Sequence, residues 1–430
     1  MASDTISIPE EHSIETQGIE RVSSKARAHV HISDNFTLWF SANLVISTVA
    51  LGAIAIPIFG LGFWDSVAAI MLFNILGSLP VAFFSTMGPK LGLRQMTITR
   101  FSFGWAGAVI MALFNVAACT GWSAVNAIVG GQLVAAVSGG TIARPVAILI
   151  IVVLTTIFSI YGYKHIHRYA RYAWIPAAII FLILLMIAGP RVSIIPTPAL
   201  GIAEIASFIS FGVWFTVLGI AIPCIVLEIF GMALTTAYKE SGGDLLAAVA
   251  QPLGSFGNVL LLLLALSIIA NNIPNAYSIG LSMQVLGKSF QRVGRIMWTL
   301  FAAVFYLLIA IPAVPNFNNT LSDFLLIITY WLGPWGIILI EEHFIFRRGQ
   351  YNVEDWNTPQ KLPVGWAALV SMAFGLLGVY LGAAQVLFVG PIANLFNPPY
   401  GMDIGFELGL VFAGIAYFFL RRMELALSGR

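Results

Sequence analysis

The residues of this chain with most chemistry to offer are carboxamides embedded in apolar sequence. In the run Gly121, Trp122, Ser123, Ala124, Val125, Asn126 an indole and an amide stand four residues apart, which puts them on one face of a helix. An amide in hydrocarbon needs a partner. Packing of Trp122 with Asn126 bonded to a neighbouring helix is one reading; a stacking platform beside a group with adjacent donor and acceptor, suited to a flat heterocycle, is the other. A second group, Ala270, Asn271, Asn272, Ile273, Pro274, Asn275, Ala276, Tyr277, Ser278, concentrates three carboxamides and a proline in another apolar run. Pro274 lacks an amide hydrogen and clashes with the carbonyl of Ala270, so a helix broken at Pro274 and lining a cavity is expected here, the alternative being a proline kink healed by Asn packing against other helices. Glu228 is an acid within an apolar run, open to reading as a proton or ion site or as a side chain snorkelling to the interface.

The elements that position these residues follow from composition. Hydrophobic residues make up 59% of the 430 positions and charged residues 9%, far below the charge content of a soluble domain, so the partner of this surface is the lipid bilayer. Period-two alternation of a membrane barrel is missing, which leaves helices. Apolar runs between polar punctuation predict about eleven spans: Leu38 to Phe59, Val67 to Met87, Phe103 to Val137, Val146 to Tyr161, Tyr172 to Ala188, Ile205 to Phe230, Phe256 to Leu286, Ile296 to Val314, Phe324 to Phe346, Trp366 to Val389 and Ile404 to Leu420. Phe103 to Val137 and Phe256 to Leu286 exceed what a membrane needs, so tilt or a break is expected in each. In the first span Ser41, Asn43, Ser47, Thr48, Gly52 and Pro57 suit close helix contact or an unwound segment.

Lys and Arg mark one side of the membrane: Lys25, Arg27, Lys90, Arg94, Arg100, Lys164, Arg168, Arg171, Lys288, Arg292, Arg295, Arg347, Arg348, Lys361, Arg421 and Arg422. That side is assigned to the cytoplasm, with the N-terminus on it, in an inner or plasma membrane. The rule fails once. The loops near Pro196 and from Gly231 to Asp244 both look external, yet the single run Ile205 to Phe230 separates them. A re-entrant hairpin, an internal Lys239 loop, or a missing span would each restore parity. Residues 1–31 are polar, mixed in charge and read as a disordered cytoplasmic tail, followed by one transmembrane domain over 32–425 and a short tail over 426–430.

Other candidates are weaker. Cys119 and Cys224 read as buried thiols. His165 and His167 lack the further ligands a metal needs, so no metal site is expected. Glu341, Glu342 and His343 read as a solvated rim at the end of a span. The basic residues form no patch for nucleic acid, no phosphate-cradling loop appears, and no paired acid and base or metal cluster suggests an enzyme or a catalytic residue.

The runs WFSANLVISTVALGA from Trp39, GWSAVN from Gly121, ANNIPNAYSIGLSMQVLG from Ala270 and GPIA from Gly390 resemble the purine-cytosine permease branch of the nucleobase cation symporter family. The resemblance covers nearly all of the chain after His31. It implies a five-plus-five inverted-repeat transporter fold with two extra C-terminal helices and a nucleobase held at broken helices near the midplane. It implies that Trp122 stacks on the base, that Asn126 bonds its edge, and that Asn272 and Asn275 complete the pocket around the break at Pro274. Family members that bind sodium tend to place hydroxyl residues just before the Asn cluster. Ala270 and Asn271 stand there instead, so the proton gradient is the expected driving force, with Glu228, Asn43 and Asn271 as coupling candidates and no cofactor. One departure coincides with the parity fault: after Gly212 the chain passes directly into VWFTVLGIAIPCIVLEIFG, and about thirty residues of the family pattern, around the sixth span, have no counterpart. Phe208, Phe211 or Trp214 would then have to supply the opposing aromatic face. The expected function is import of purine or cytosine-type bases; the alternative is a base-binding membrane protein or inactive isoform that does not transport.

Overall fold

The structure, a computed structural model, describes residues 17–23, 32–57, 60–195, 214–238, 257–385, 388–396, 398–399 and 401–429. Apart from a two-residue antiparallel pair, Ala384–Gln385 with Phe388–Val389, its regular elements are helical. They run α1 Ile32–Asn43, α2 Ile46–Ala53, α3 Phe63–Leu91, α4 Gln95–Ile98, α5 Arg100–Val137, α6 Arg144–Tyr161, α7 Tyr163–Ala188, α8 Trp214–Ala237, α9 Gly257–Val285, α10 Lys288–Gln291, α11 Arg295–Ala313, α12 Phe317–Ile328, α13 Leu332–Glu341, α14 Trp366–Gly382 and α15 Gly405–Ser428. Among the described residues seven helices are long and apolar enough to cross a membrane, or eight with α1 and α2 as one bent span. The expected spans Phe324 to Phe346 and Trp366 to Val389 are represented by shorter helices, with α12 and α13 separated at residues 329–331. Large apolar side chains such as Leu182, Met186, Phe301 and Leu308 stay exposed on α7 and α11, the pattern of helices whose outer face meets lipid.

Two breaks lie in spans where the sequence allowed for one, and the break expected at Pro274 is absent. The first span bends by 58° between α1 and α2. An unbroken helix would pair the Ala42 carbonyl with the Ile46 amide and the Asn43 carbonyl with that of Ser47. Asn271 Nδ2 takes the first carbonyl, and Thr48 Oγ1 takes the second at 2.7 Å. By contrast α9 runs uninterrupted from Gly257 to Val285 with Pro274 inside it, so the break expected at Pro274 does not occur. Asn275 Nδ2 reaches back to the Asn271 carbonyl at 3.5 Å beside the proline, and neighbouring helices hold both ends of α9 in line. In α5 the chain leaves helical geometry at Gly104, with φ 65° and ψ −169°, where a side chain would run into the backbone of Pro363 and Val364.

Close approach of backbones fixes α8 against the bent span. A Cβ on Gly52 would overlap the backbone of Glu228, and one on Gly231 would overlap that of Val49. The small residues of the first span therefore do serve helix contact.

Many basic residues are not loose loop charges. Arg295 donates to the carbonyls of Ser159 and Ile160 at the end of α6, both at 3.0 Å, and Arg100 donates to that of Val285 at the end of α9 at 3.3 Å. Arg21 does the same for Leu91 at the end of α3, at 3.2 Å. Each satisfies a carbonyl in the last turn of a helix and meets the negative end of its dipole. Arg21 also corrects the expected disordered tail: residues 17–23 are packed, with Ile19 1% exposed, the Val22 amide donating to the Gly92 carbonyl at 2.8 Å, and Arg21 paired with Glu354. At the other terminus α15 continues to Ser428, past the boundary expected at 425.

The solvated rim expected at Glu342 is also corrected. Glu342 is fully buried: it accepts from Tyr417 Oη at 2.8 Å and from Arg421 Nε at 3.0 Å and Nη2 at 3.1 Å, with Arg347 Nε at 2.7 Å. Arg421 also donates to Glu424 at 2.7 Å, and the other Glu424 oxygen accepts the Gly365 amide at 2.7 Å. A charge so deep survives because every oxygen is paired.

The flanks of α8, residues 196–213 and 239–256, lie outside the described residues. With them lie the parity of that crossing, Phe208, Phe211 and the Trp214 side chain.

Candidate functional site

The amides converge where α2, α5 and α9 meet the bend of the first span. Ser47 Oγ donates to Asn126 Oδ1 at 2.9 Å, Asn126 Nδ2 donates to Asn271 Oδ1 at 2.6 Å, and Asn271 Nδ2 donates to the Ala42 carbonyl. This donor chain starts and ends on the broken span and crosses two long helices between. Antiparallel packing of α5 on α9 sets its register, and the missing side chains of Gly130 and Gly131 let α6 press on α5 from the other side, where Ile148 and Ile151 fill the space.

Of the residues singled out from sequence, Asn126, Asn271 and Asn275 fall on one seam, and Trp122 lies one turn from Asn126 on α5. Asn271, rather than Asn272, bonds to Asn126. Asn272 is rotated off the seam, fully buried, and neither its Oδ1 nor its Nδ2 has a hydrogen-bond partner among the described residues. Asn43 turns back on its own helix, donating to the Trp39 carbonyl at 2.8 Å, and accepts from Cys224 Sγ at 3.5 Å. Glu228 neither snorkels nor stands alone: Asn74 of α3 donates to it at 2.8 Å, which places the acid between α8 and α3 rather than on the amide seam.

Sequence reasoning missed the ring that meets Trp122. Phe324 of α12 stands edge-on to it, with centroids 5.4 Å apart and planes at 85°. Gly121 makes room, since a Cβ there would overlap the Phe324 ring. Also missed was a lower cluster on the same seam, in which Asn115 Nδ2 donates to Ser282 Oγ at 2.8 Å and Ser278 Oγ at 3.3 Å. The signal was available in the helical spacing of Asn115 from Trp122 and of Ser278 and Ser282 from Asn275.

Chemically the upper site offers an aromatic face and carboxamides carrying donor and acceptor side by side, the pairing that reads the edge of a nucleobase. Its members are neutral, so they exchange one partner for another without burying an unpaired charge.

Comparison with known proteins agrees with this chemistry. The family model for permeases for cytosine/purines, uracil, thiamine and allantoin matches residues 22–196 and 203–401. The chain is 39% identical to purine-cytosine permease fcyB of Emericella nidulans, covering 98% of this chain and 91% of that protein, and 36% identical to purine-cytosine permease FCY2 of Saccharomyces cerevisiae, covering 97% and 87%. Among solved structures it is similar to Mhp1, a nucleobase-cation-symport-1 family transporter in a closed conformation with bromovinylhydantoin bound, with a TM-score of 0.73 at 16% identity, covering 98% of this chain and 97% of that one. That likeness assigns the fold, an all-helical polytopic membrane transporter. The chain belongs to the cytosine/purine permease family, and so to transporters rather than enzymes.

Proposed function

We propose that this chain is a secondary active transporter that moves purine or cytosine-type bases across the plasma membrane, with the N-terminus in the cytoplasm and protons as the coupling ion. The observation that carries the reading is the donor chain from Ser47 through Asn126 and Asn271 to the Ala42 carbonyl, one turn from Trp122. Trp122 stacks on the base, with Phe324 holding the indole edge-on, and Asn126 and Asn275 bond its edge. Insertion of the base replaces contacts that the amides otherwise make with each other. The broken span is one party to those contacts, so occupancy bears directly on the bend, and a bend that responds to the substrate is what alternating access requires. Glu228, held by Asn74 beside Gly52 of the broken span, is the acid we assign to proton coupling.

A second reading, binding without transport, is favoured by one observation. The alignment to the Emericella nidulans permease extends over 465 positions, more than the 430 residues of this chain, in keeping with a segment shortened after Gly212. Uptake of radiolabelled cytosine, adenine and hypoxanthine into transporter-deficient cells, with and without a protonophore and beside Asn275→Ala, separates the two. Saturable uptake that collapses with the proton gradient and is lost in the variant supports the symporter. Base binding in detergent without uptake supports the second reading.

A further inference from the structure

The polar seam does not end at the base-binding amides. Asn115, Cys119, Trp122 and Asn126 on α5 repeat a four-three-four spacing, and Asn271, Asn275, Ser278 and Ser282 on α9 repeat it in the opposite direction. The two helices pack antiparallel, so the rows pair from end to end: Asn126 with Asn271 at one extreme and Asn115 with Ser278 and Ser282 at the other. A polar track in register over three helical turns is costly in a bundle held together by apolar packing, and one interhelical clasp would not require it.

The lower end repeats the composition of the upper. One turn from Asn126 stands Trp122, perpendicular to Phe324 at 5.4 Å; next to Asn115 in the chain but about 100° round the helix, Phe114 stacks on Trp331 at 5.7 Å with planes 20° apart. Both ends therefore carry a carboxamide and, at about the same level of α5, a ring pair shared with the α12–α13 stretch. At the lower end the hydrogen-bonding capacity is not exhausted. Asn115 Oδ1 has Cys119 Sγ at 3.9 Å, both serine hydroxyls accept from the Asn115 amide, Ser278 also bonds to Cys119, and the buried indole N–H of Trp331 has no partner among the described residues. Asn115 and Ser278 are half-buried and Ser282 is 2% exposed, so a ligand would meet the cluster first at Asn115 and Ser278. It lies between Trp122 and the end of the bundle where Arg94, Arg100 and Arg295 collect.

We propose that Asn115, Ser278 and Ser282 form a second, weaker binding subsite for the same planar, amide-edged heterocycle, occupied after the base leaves the upper amides and before it reaches the basic end of the bundle. This rests on the transport reading above. The subsite lowers the barrier to release, so its loss slows turnover without weakening capture.

The test uses full-length protein in proteoliposomes, wild type beside Ser278→Ala/Ser282→Ala, with Asn115→Ala as a second variant and thermal melting in detergent to count folded protein. The wild-type equilibrium isotherm for radiolabelled cytosine is expected to resolve into a tight and a weaker component. The double serine variant should lose the weaker one alone, keeping tight-site Kd within about twofold, while kcat and KM for uptake fall together by roughly tenfold because release has become limiting. A single-component wild-type isotherm overturns the subsite. So does a variant that weakens the tight Kd as well, which would make the cluster part of the upper site, or one that melts earlier with kcat per folded molecule and KM unchanged, which would make it a structural clasp. A wild type that neither binds nor carries cytosine fails earlier, at the transport reading itself.

Discussion

The amide seam of α2, α5 and α9 and the ionic clasp of α13 and α15 are both buried polar clusters, and they are constructed in opposite ways. In the clasp Glu342 and Glu424 are wholly buried, Arg421 is 2% exposed, and each carboxylate oxygen has at least one partner. Moving any one of these groups would strand a charge in a medium that solvates it poorly, so the clasp has one arrangement. The seam is neutral, with Ser47 and Asn126 buried and Asn271 and Asn275 half-buried, and its groups are satisfied mostly by each other. An amide released by one partner and taken up by another, or by a base, leaves no charge behind. The two regions divide the labour of the bundle in the proposed cycle: the clasp ties the C-terminal helix to the core as a fixed frame, and the seam is where contacts are proposed to exchange.

That division is most sharply broken by Arg421→Met, which leaves Glu342 and Glu424 facing each other without their shared cation. The expected cost is about 3–5 kcal/mol of stability, read as a large drop in melting temperature in detergent and loss of protein from the membrane. A variant that melts with the wild type would mean the clasp is no frame. At the seam the expectation is reversed. Asn126→Ala removes the link between Ser47 and Asn271 and should weaken cytosine binding by about 1–3 kcal/mol, roughly fivefold to 150-fold, with a smaller loss of melting temperature than Arg421→Met because the groups it strands are neutral. A melting loss comparable to that of Arg421→Met would show that the seam too is structural.

How far such contrasts were legible in the sequence varies from residue to residue. Which polar side chains would gather between the helices was largely visible, because Asn126, Asn271 and Asn275 are out of place in apolar runs. Where the backbone breaks was legible only by span, not by residue. Pro274 is the strongest local breaker, yet α9 continues through it, while the first span bends at Leu44 and Val45, where neither proline nor glycine stands. One carbonyl freed by that bend is taken locally by Thr48, but the other is taken by Asn271 on α9, a tertiary partner that single-sequence propensity does not see. The choice between Asn271 and Asn272 was equally closed, since neighbours on a helix differ by about 100° of rotation and only the packing of α9 on α5 decides which faces the seam. Glu342 looked like a solvated rim because its partner Arg421 is far along the chain, and Ile19 looked like part of a loose tail because one apolar residue among charges carries no periodic signal.

Phe324 offers the smallest and most discriminating test. Nothing in the sequence linked it to Trp122, and it lies outside both polar clusters. Its edge meets the Trp122 ring, and Gly121 leaves the space it fills, so its role is to fix the indole plane on which the base is proposed to stack. Phe324→Ala removes an edge-to-face pair worth about 0.5–1.5 kcal/mol, and because Phe324 is only half-buried little of the fold depends on it. The expected result is a cytosine KM raised by roughly threefold to tenfold, with an unchanged melting temperature and a similar factor for every base tested, since stacking is blind to the hydrogen-bonding edge. Asn126→Ala should instead change the rank order of bases, because the amide reads that edge. If Phe324→Ala also alters the rank order, the ring does more than brace the indole and reaches the base itself, and the aromatic face of the site is then a pair contributed by α5 and α12.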